Sequence, residues 1–162
     1  MKNLRIDPAT ESDTPLIVSF IKKLAEYERL ADTFVATEAG IREFLFGGKR
    51  FAEVVIARLD NRPVGFALFF HNFSTFVGRP GLYLEDLFVL PDHRGKGIGK
   101  ALLVYLAKLA VERKCGRFEW AVLDWNTSAI EFYKSLGAVG LDDWRIFRLS
   151  GESLAKLADQ MT

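Results

Sequence analysis

LYLEDLFVLPDHRGKGIGKALLVYLAKLA, residues 82–110, decides how this chain is read. An apolar, β-prone run leads into a proline-marked turn, then a glycine-rich basic loop, then a helix with Leu102, Leu103, Leu106, Leu109 and Ala110 on one stripe. Five backbone amides, Gly95 to Gly99, fall where the helix begins, with Arg94 ahead of them. Unpaired N–H donors, the positive end of a helix and an absence of bulky side chains suit a phosphate group. Two nucleotide loops fail on the count. A Walker loop needs glycine where Arg94 stands and Ser or Thr where Ala101 stands. The dinucleotide fingerprint needs glycine where Lys100 stands.

Working outward, the 162 residues fit one α+β domain, 1–162, large enough to bury roughly 70% of its unfolded surface. Net charge is +1, which gives no general pull toward nucleic acid or acidic membranes. The single cysteine, Cys115, leaves no internal disulfide. With no signal-peptide pattern and no apolar run near 18 residues, a cytoplasmic location is expected. Strands are expected at 4–6, 51–59, 64–73, 82–90, 117–123 and 144–149. Helices are expected at 15–29, from Thr37 to Gly47-Gly48, and at 98–113, which Gly116 closes. Two more are expected at 126–136, with Asn126 or Thr127 as cap and Gly137 as stop, and at 152–159. Asp60-Asn61-Arg62-Pro63 is turn material for a hairpin.

The pattern Arg94-x-x-Gly97-x-Gly99 after a strand, with a helix, a strand and then WNTSAIEFYKSLGA (125–138), resembles the GNAT superfamily of N-acetyltransferases. IDPAT at the start, LAEYE (24–28), LYLEDLFV (82–89) and DDWRIFRL (142–149) extend the resemblance to its diamine (spermidine/spermine) and thialysine acetyltransferases. The resemblance implies a GNAT fold, with a mixed, mostly antiparallel sheet flanked by helices and strands that splay to make a slot for acetyl-CoA. It implies a pyrophosphate held by Arg94, Gly95, Lys96, Gly97, Ile98, Gly99 and Lys100. The pantetheine arm, which is peptide-like, would pair with Leu87, Phe88 and Val89. Asn126 is a CoA contact by the same resemblance, Tyr133 is the general acid for the departing thiolate, and Glu85 is the base acting through water. A two-fold homodimer is implied as well.

An alkyl amine has a pKa of ~10.4, so presenting it neutral near pH 7 costs about 4–5 kcal/mol, and a carboxylate is wanted to take the proton. Glu85 and Asp86 are neighbours on a strand and are expected on opposite faces, so only one would face the acetyl group. Tyr27, Glu28, Asp142, Asp143 and Trp144 are further acceptor-site candidates, since a cationic amine chain favours carboxylates and an aromatic face. Leu141-Asp142-Asp143 is shorter than the acidic insertion before the matching Trp in the diamine enzymes. Polyamine, thialysine, ornithine or another small diamine therefore stays open as the acceptor. Cys115 stands away from the motif, which favours direct transfer without a covalent enzyme intermediate. His71 and His93 lack nearby ligands, and no metal is expected. The alternatives are a non-catalytic acyl-CoA-binding module and a protein lysine or N-terminal acetyltransferase, against an expected small-molecule amine.

Overall fold

The structure is a computed structural model that describes residues 3–160. The chain forms two compact units, divided between Leu123 and Asp124. The first unit is a five-stranded sheet in sequence order. Strands β1 (Leu4–Pro8), β2 (Glu53–Leu59), β3 (Arg62–Ser74) and β4 (Arg79–Val89) pair antiparallel. The last strand, β5 (Arg117–Trp120), joins β4 in parallel. The β2–β3 hairpin is tighter than the four-residue turn expected. Only Asp60 and Asn61 form it, both at positive φ (50° and 63°), while Arg62 and Pro63 already belong to β3. Paired left-handed residues match the twist of two antiparallel strands, and Asp and Asn tolerate that conformation.

Helices α1 (Thr14–Tyr27) and α2 (Glu38–Phe46) cover one face, with α2 capped by Thr37, whose hydroxyl accepts from the Gly40 N–H at 3.1 Å. On this side Ile17, Phe20, Leu24 and Leu45 pack with Val54, Ile56, Phe66 and Phe88. Phe20 stacks on Phe66 with ring centroids 5.4 Å apart. Helix α3 (Ile98–Glu112) follows the glycine loop and buries Ile98, Leu102, Leu103, Leu106 and Ala110. It ends three residues before Gly116, at Arg113, with Lys114 in the left-handed conformation (φ 58°). Gly116 instead permits close approach, because a Cβ there would sit 2.7 Å from Val77.

The second unit carries α4 (Thr127–Ser135) and α5 (Gly151–Ala158). Asn126 caps α4, its carboxamide oxygen accepting from the Ala129 N–H at 3.3 Å, and Gly137 follows at φ 89°. The strand expected at 144–149 does not form. Among the described strands none pairs with this segment, and Trp144, Ile146 and Phe147 are 75%, 78% and 92% exposed. Trp144, Ile146 and Phe147 are β-prone residue types, but a strand exists only where a neighbour completes its ladder. No described helix is long and apolar enough to cross a membrane.

Candidate active site

The cofactor side is built by the strand–loop–helix stretch. β5 pairs with β4 only over Gly81–Leu84, so from Glu85 to Val89 the β4 edge on that side has no described strand beside it. This is the splayed edge that the sequence led us to expect, and a peptide-like arm could extend the sheet there. A short 3-10 turn, Pro91–His93, then leads into the loop. Gly95 and Gly97 have φ of 71° and 75°, a conformation that strains any residue with a Cβ. Around Gly95 and Gly99 the space a Cβ would occupy is open to 4 Å. α3 starts at Gly97 with no side-chain cap and no acidic residue in its first turn. Its leading amides therefore remain available to an anion. These features fit a pyrophosphate.

The other expected cofactor contacts divide by burial. Phe88 (3% exposed) and Ile98 (1%) belong to the core, so they can meet a ligand only through backbone groups. Lys96 turns back to donate to the Asp92 carbonyl at 2.9 Å. Arg94 donates from Nε to the Val89 carbonyl at 3.0 Å, and its guanidinium lies 4.3 Å from the Tyr27 ring centroid.

A groove of about 300 Å³ is lined by Ile21, Leu24, Ala25 and Glu28 of the α1 end, by residues of the 30–36 segment, and by Asp86 of β4. Its walls are apolar apart from Thr33 and the two carboxylates. The 30–36 segment was missed in the sequence because it has no periodicity; the run Phe34-Val35-Ala36 was the only signal.

Asp86 reaches the groove because of a β-bulge. Leu68 pairs with Asp86 but the next residue, Phe69, pairs with Leu84, leaving Glu85 as the extra residue. An inserted residue breaks the strict alternation of a strand, so the bulge at Glu85 sets the faces of this pair rather than simple alternation. Asp86 lines the groove, and Glu85 is exposed. Burial pushes the Asp86 carboxyl up to about 7, reinforced by the charges of Glu85 and Glu28. Glu28 is raised by burial. Tyr83 is raised too, by burial first and then by Glu85 and Glu119. A carboxyl near neutrality at the wall of a groove is matched to proton exchange at physiological pH.

Tyr133 and Asn126 belong to the second unit. Tyr133 is half-buried on α4 beside Phe132, with ring centroids 5.5 Å apart. Asp142 and Trp144 are exposed in the segment between α4 and α5, where the Trp144 N–H donates to the Leu141 carbonyl at 3.2 Å. Among the described residues no group of three or more metal-ligating side chains comes together.

Comparison with known proteins agrees with this geometry. The Acetyltransferase (GNAT) family model matches residues 21–138. A thialysine N-epsilon-acetyltransferase of Sus scrofa is 37% identical over 98% of this chain and 99% of its own length. An L-ornithine N5-acetyltransferase of Arabidopsis thaliana is 34% identical over 93% of this chain and 86% of its own. Among solved structures, an integron cassette protein of V. cholerae superposes with a TM-score of 0.82 at 28% identity, covering 98% and 99% of the two chains. The chain belongs to the GNAT family of acetyltransferases, and its activity is acetyl-CoA-dependent N-acetyl transfer.

Proposed function

We propose that the acceptor is the primary amine of a small polyamine, diamine or lysine-like amino acid, bound in the groove between the α1 end and β4. The observation that carries this reading is the apolar groove with Glu28 and Asp86 in its wall. An alkylammonium finds carboxylates for its charge and apolar walls for its stem. The curated relatives named for thialysine and ornithine support the same class.

Acetyl-CoA, when bound, supplies an activated acetyl thioester; the chain's residues orient it and move protons. The amides of Gly95 to Gly99 hold the pyrophosphate, and the free edge at Leu87, Phe88 and Val89 receives the pantetheine arm. Asp86, as the carboxylate, takes the ammonium proton and leaves nitrogen with a lone pair for attack. Glu85, exposed on the bulge, passes that proton through water to solvent. As the C–N bond forms and the C–S bond breaks, the Tyr133 hydroxyl gives a proton to the departing thiolate and is restored by the second proton that the nitrogen sheds, while Asn126 contacts CoA through the carboxamide nitrogen that its cap leaves over. Tyr27, Asp142 and Trp144 are further acceptor contacts in this reading, on the family resemblance alone. Because the family match runs across the division at Leu123, we read both units as one domain. A homodimer is the assembly we expect.

The test is a thiol-release assay with acetyl-CoA against spermidine, thialysine, lysine and ornithine. Turnover of at least one is expected. Acetylation of none, with CoA still bound, would reject the acceptor assignment.

A further inference from the structure

Arg94 introduces the glycine loop, yet its side chain is committed elsewhere. Nε donates to the Val89 carbonyl at 3.0 Å, at the end of β4. The central carbon of the guanidinium lies over the Tyr27 ring, 4.3 Å from its centroid, and 5.5 Å from that of Phe88. Tyr27 is the last residue of α1, and Glu28, the next one, lines the groove opposite Asp86. The backbone there closes the helix: the Glu28 N–H donates to Leu24, the Arg29 N–H to Glu26 and the Leu30 N–H to Ala25, with Arg29 at φ 62°. A planar cation that hydrogen-bonds along its edge and stacks on its face is held in two directions at once, which a lysine ammonium cannot reproduce.

We propose that Arg94 is a positioning residue for the amine groove: stacked on Tyr27 and anchored to Val89, it fixes the end of α1 and so the placement of Glu28. The first residue of the cofactor loop thereby shapes the acceptor site. Its value to the acceptor lies in the planar stack, separately from any charge it presents to phosphate. An exposed cation–π contact shifts an equilibrium by a factor of roughly 2 to 5, and the carbonyl anchor adds to it. Loss of the strut should therefore weaken amine binding by roughly threefold to tenfold. That part of the proposal rests on the groove being the amine site; the strut itself does not.

Two measurements on the full chain separate these. In hydrogen exchange without ligands, Arg94→Lys and Arg94→Ala should speed exchange of the amides of residues 28–30 at least threefold, while those of α3 residues 102–110 stay unchanged. Unchanged exchange at 28–30 would overturn the strut whatever the substrate. In steady-state kinetics on the best acceptor of the panel, Arg94→Lys should raise the amine KM by roughly threefold to tenfold, beyond any rise in the acetyl-CoA KM. Tyr27→Leu should raise the amine KM too, and the double variant should be no worse than the poorer single one, because both remove the same stack. Additive effects, or a rise confined to the acetyl-CoA KM, would overturn the link to the amine. A wild-type chain that turns over no amine would fail the groove assignment and the link together, leaving the exchange result to decide the strut.

Discussion

Asp86 governs the pH behaviour expected of this enzyme. Its carboxyl titrates at about 7 in the folded chain against an ordinary 3.8, because burial and two acidic neighbours penalise the charge. With Asp86 in the proposed role of base the carboxylate is the working form, so kcat/KM should rise with pH through about 7, and Asp86→Asn should flatten that limb and lower turnover by roughly 100-fold. Stability runs the other way. Between pH 4 and 7 the folded chain holds a proton that the unfolded chain has released, so the contribution of Asp86 to stability falls as pH rises over that interval. Asp86→Asn should consequently stabilise the fold at pH 8 by on the order of 2 kcal/mol and leave it nearly unchanged at pH 4, as urea unfolding at the two pH values will show. For Tyr133→Phe the expected outcome is a fall in kcat of roughly 100-fold with acetyl-CoA affinity kept, measured by pre-steady-state turnover and calorimetry. Unchanged turnover would remove Tyr133 from the role of acid.

The glycine loop is the element on which cofactor affinity depends. Gly97 starts α3 in a left-handed conformation, so Gly97→Ala places a Cβ where the backbone resists it. The cost is roughly 1–2 kcal/mol. If it falls on the loop geometry, the acetyl-CoA KM rises roughly tenfold with the amine KM little changed, as initial-rate kinetics with each substrate varied will show. Element boundaries fixed by local chemistry were legible in the sequence. Thr37 caps α2, Asn126 caps α4, and Gly137 takes the positive φ after α4. Each of those signals lies within a few residues of the structure it controls. Elements that depend on distant partners were less legible. The run at 144–149 reads as a strand but has no ladder among the described residues, and β5 is shorter than its apolar run, its pairing with β4 ending at Leu84 and Trp120.

For the whole molecule the open question is assembly. Size-exclusion chromatography with light scattering should report a homodimer at micromolar concentration, and a monomer there would defeat that expectation. The division of labour between sequence and fold is clear at this scale. The loop glycines, the strand before it and the tyrosine motif after it specify a phosphate-holding acetyltransferase, because those functions rest on backbone conformation and residue type over short spans. The acceptor site is different in kind. Its groove gathers the end of α1, an aperiodic segment and one residue of β4. A single bulge in the pairing of β3 with β4, at Glu85, immediately precedes Asp86, which lines that groove. Likewise the stack of Arg94 on Tyr27 joins residues far apart in the chain. LYLEDLFV carries no mark of the bulge, since an extra residue in one strand is defined only against the register of its neighbour. What the sequence determined by itself was the cofactor chemistry; where the acceptor's carboxylates stand was decided by strand register and tertiary packing.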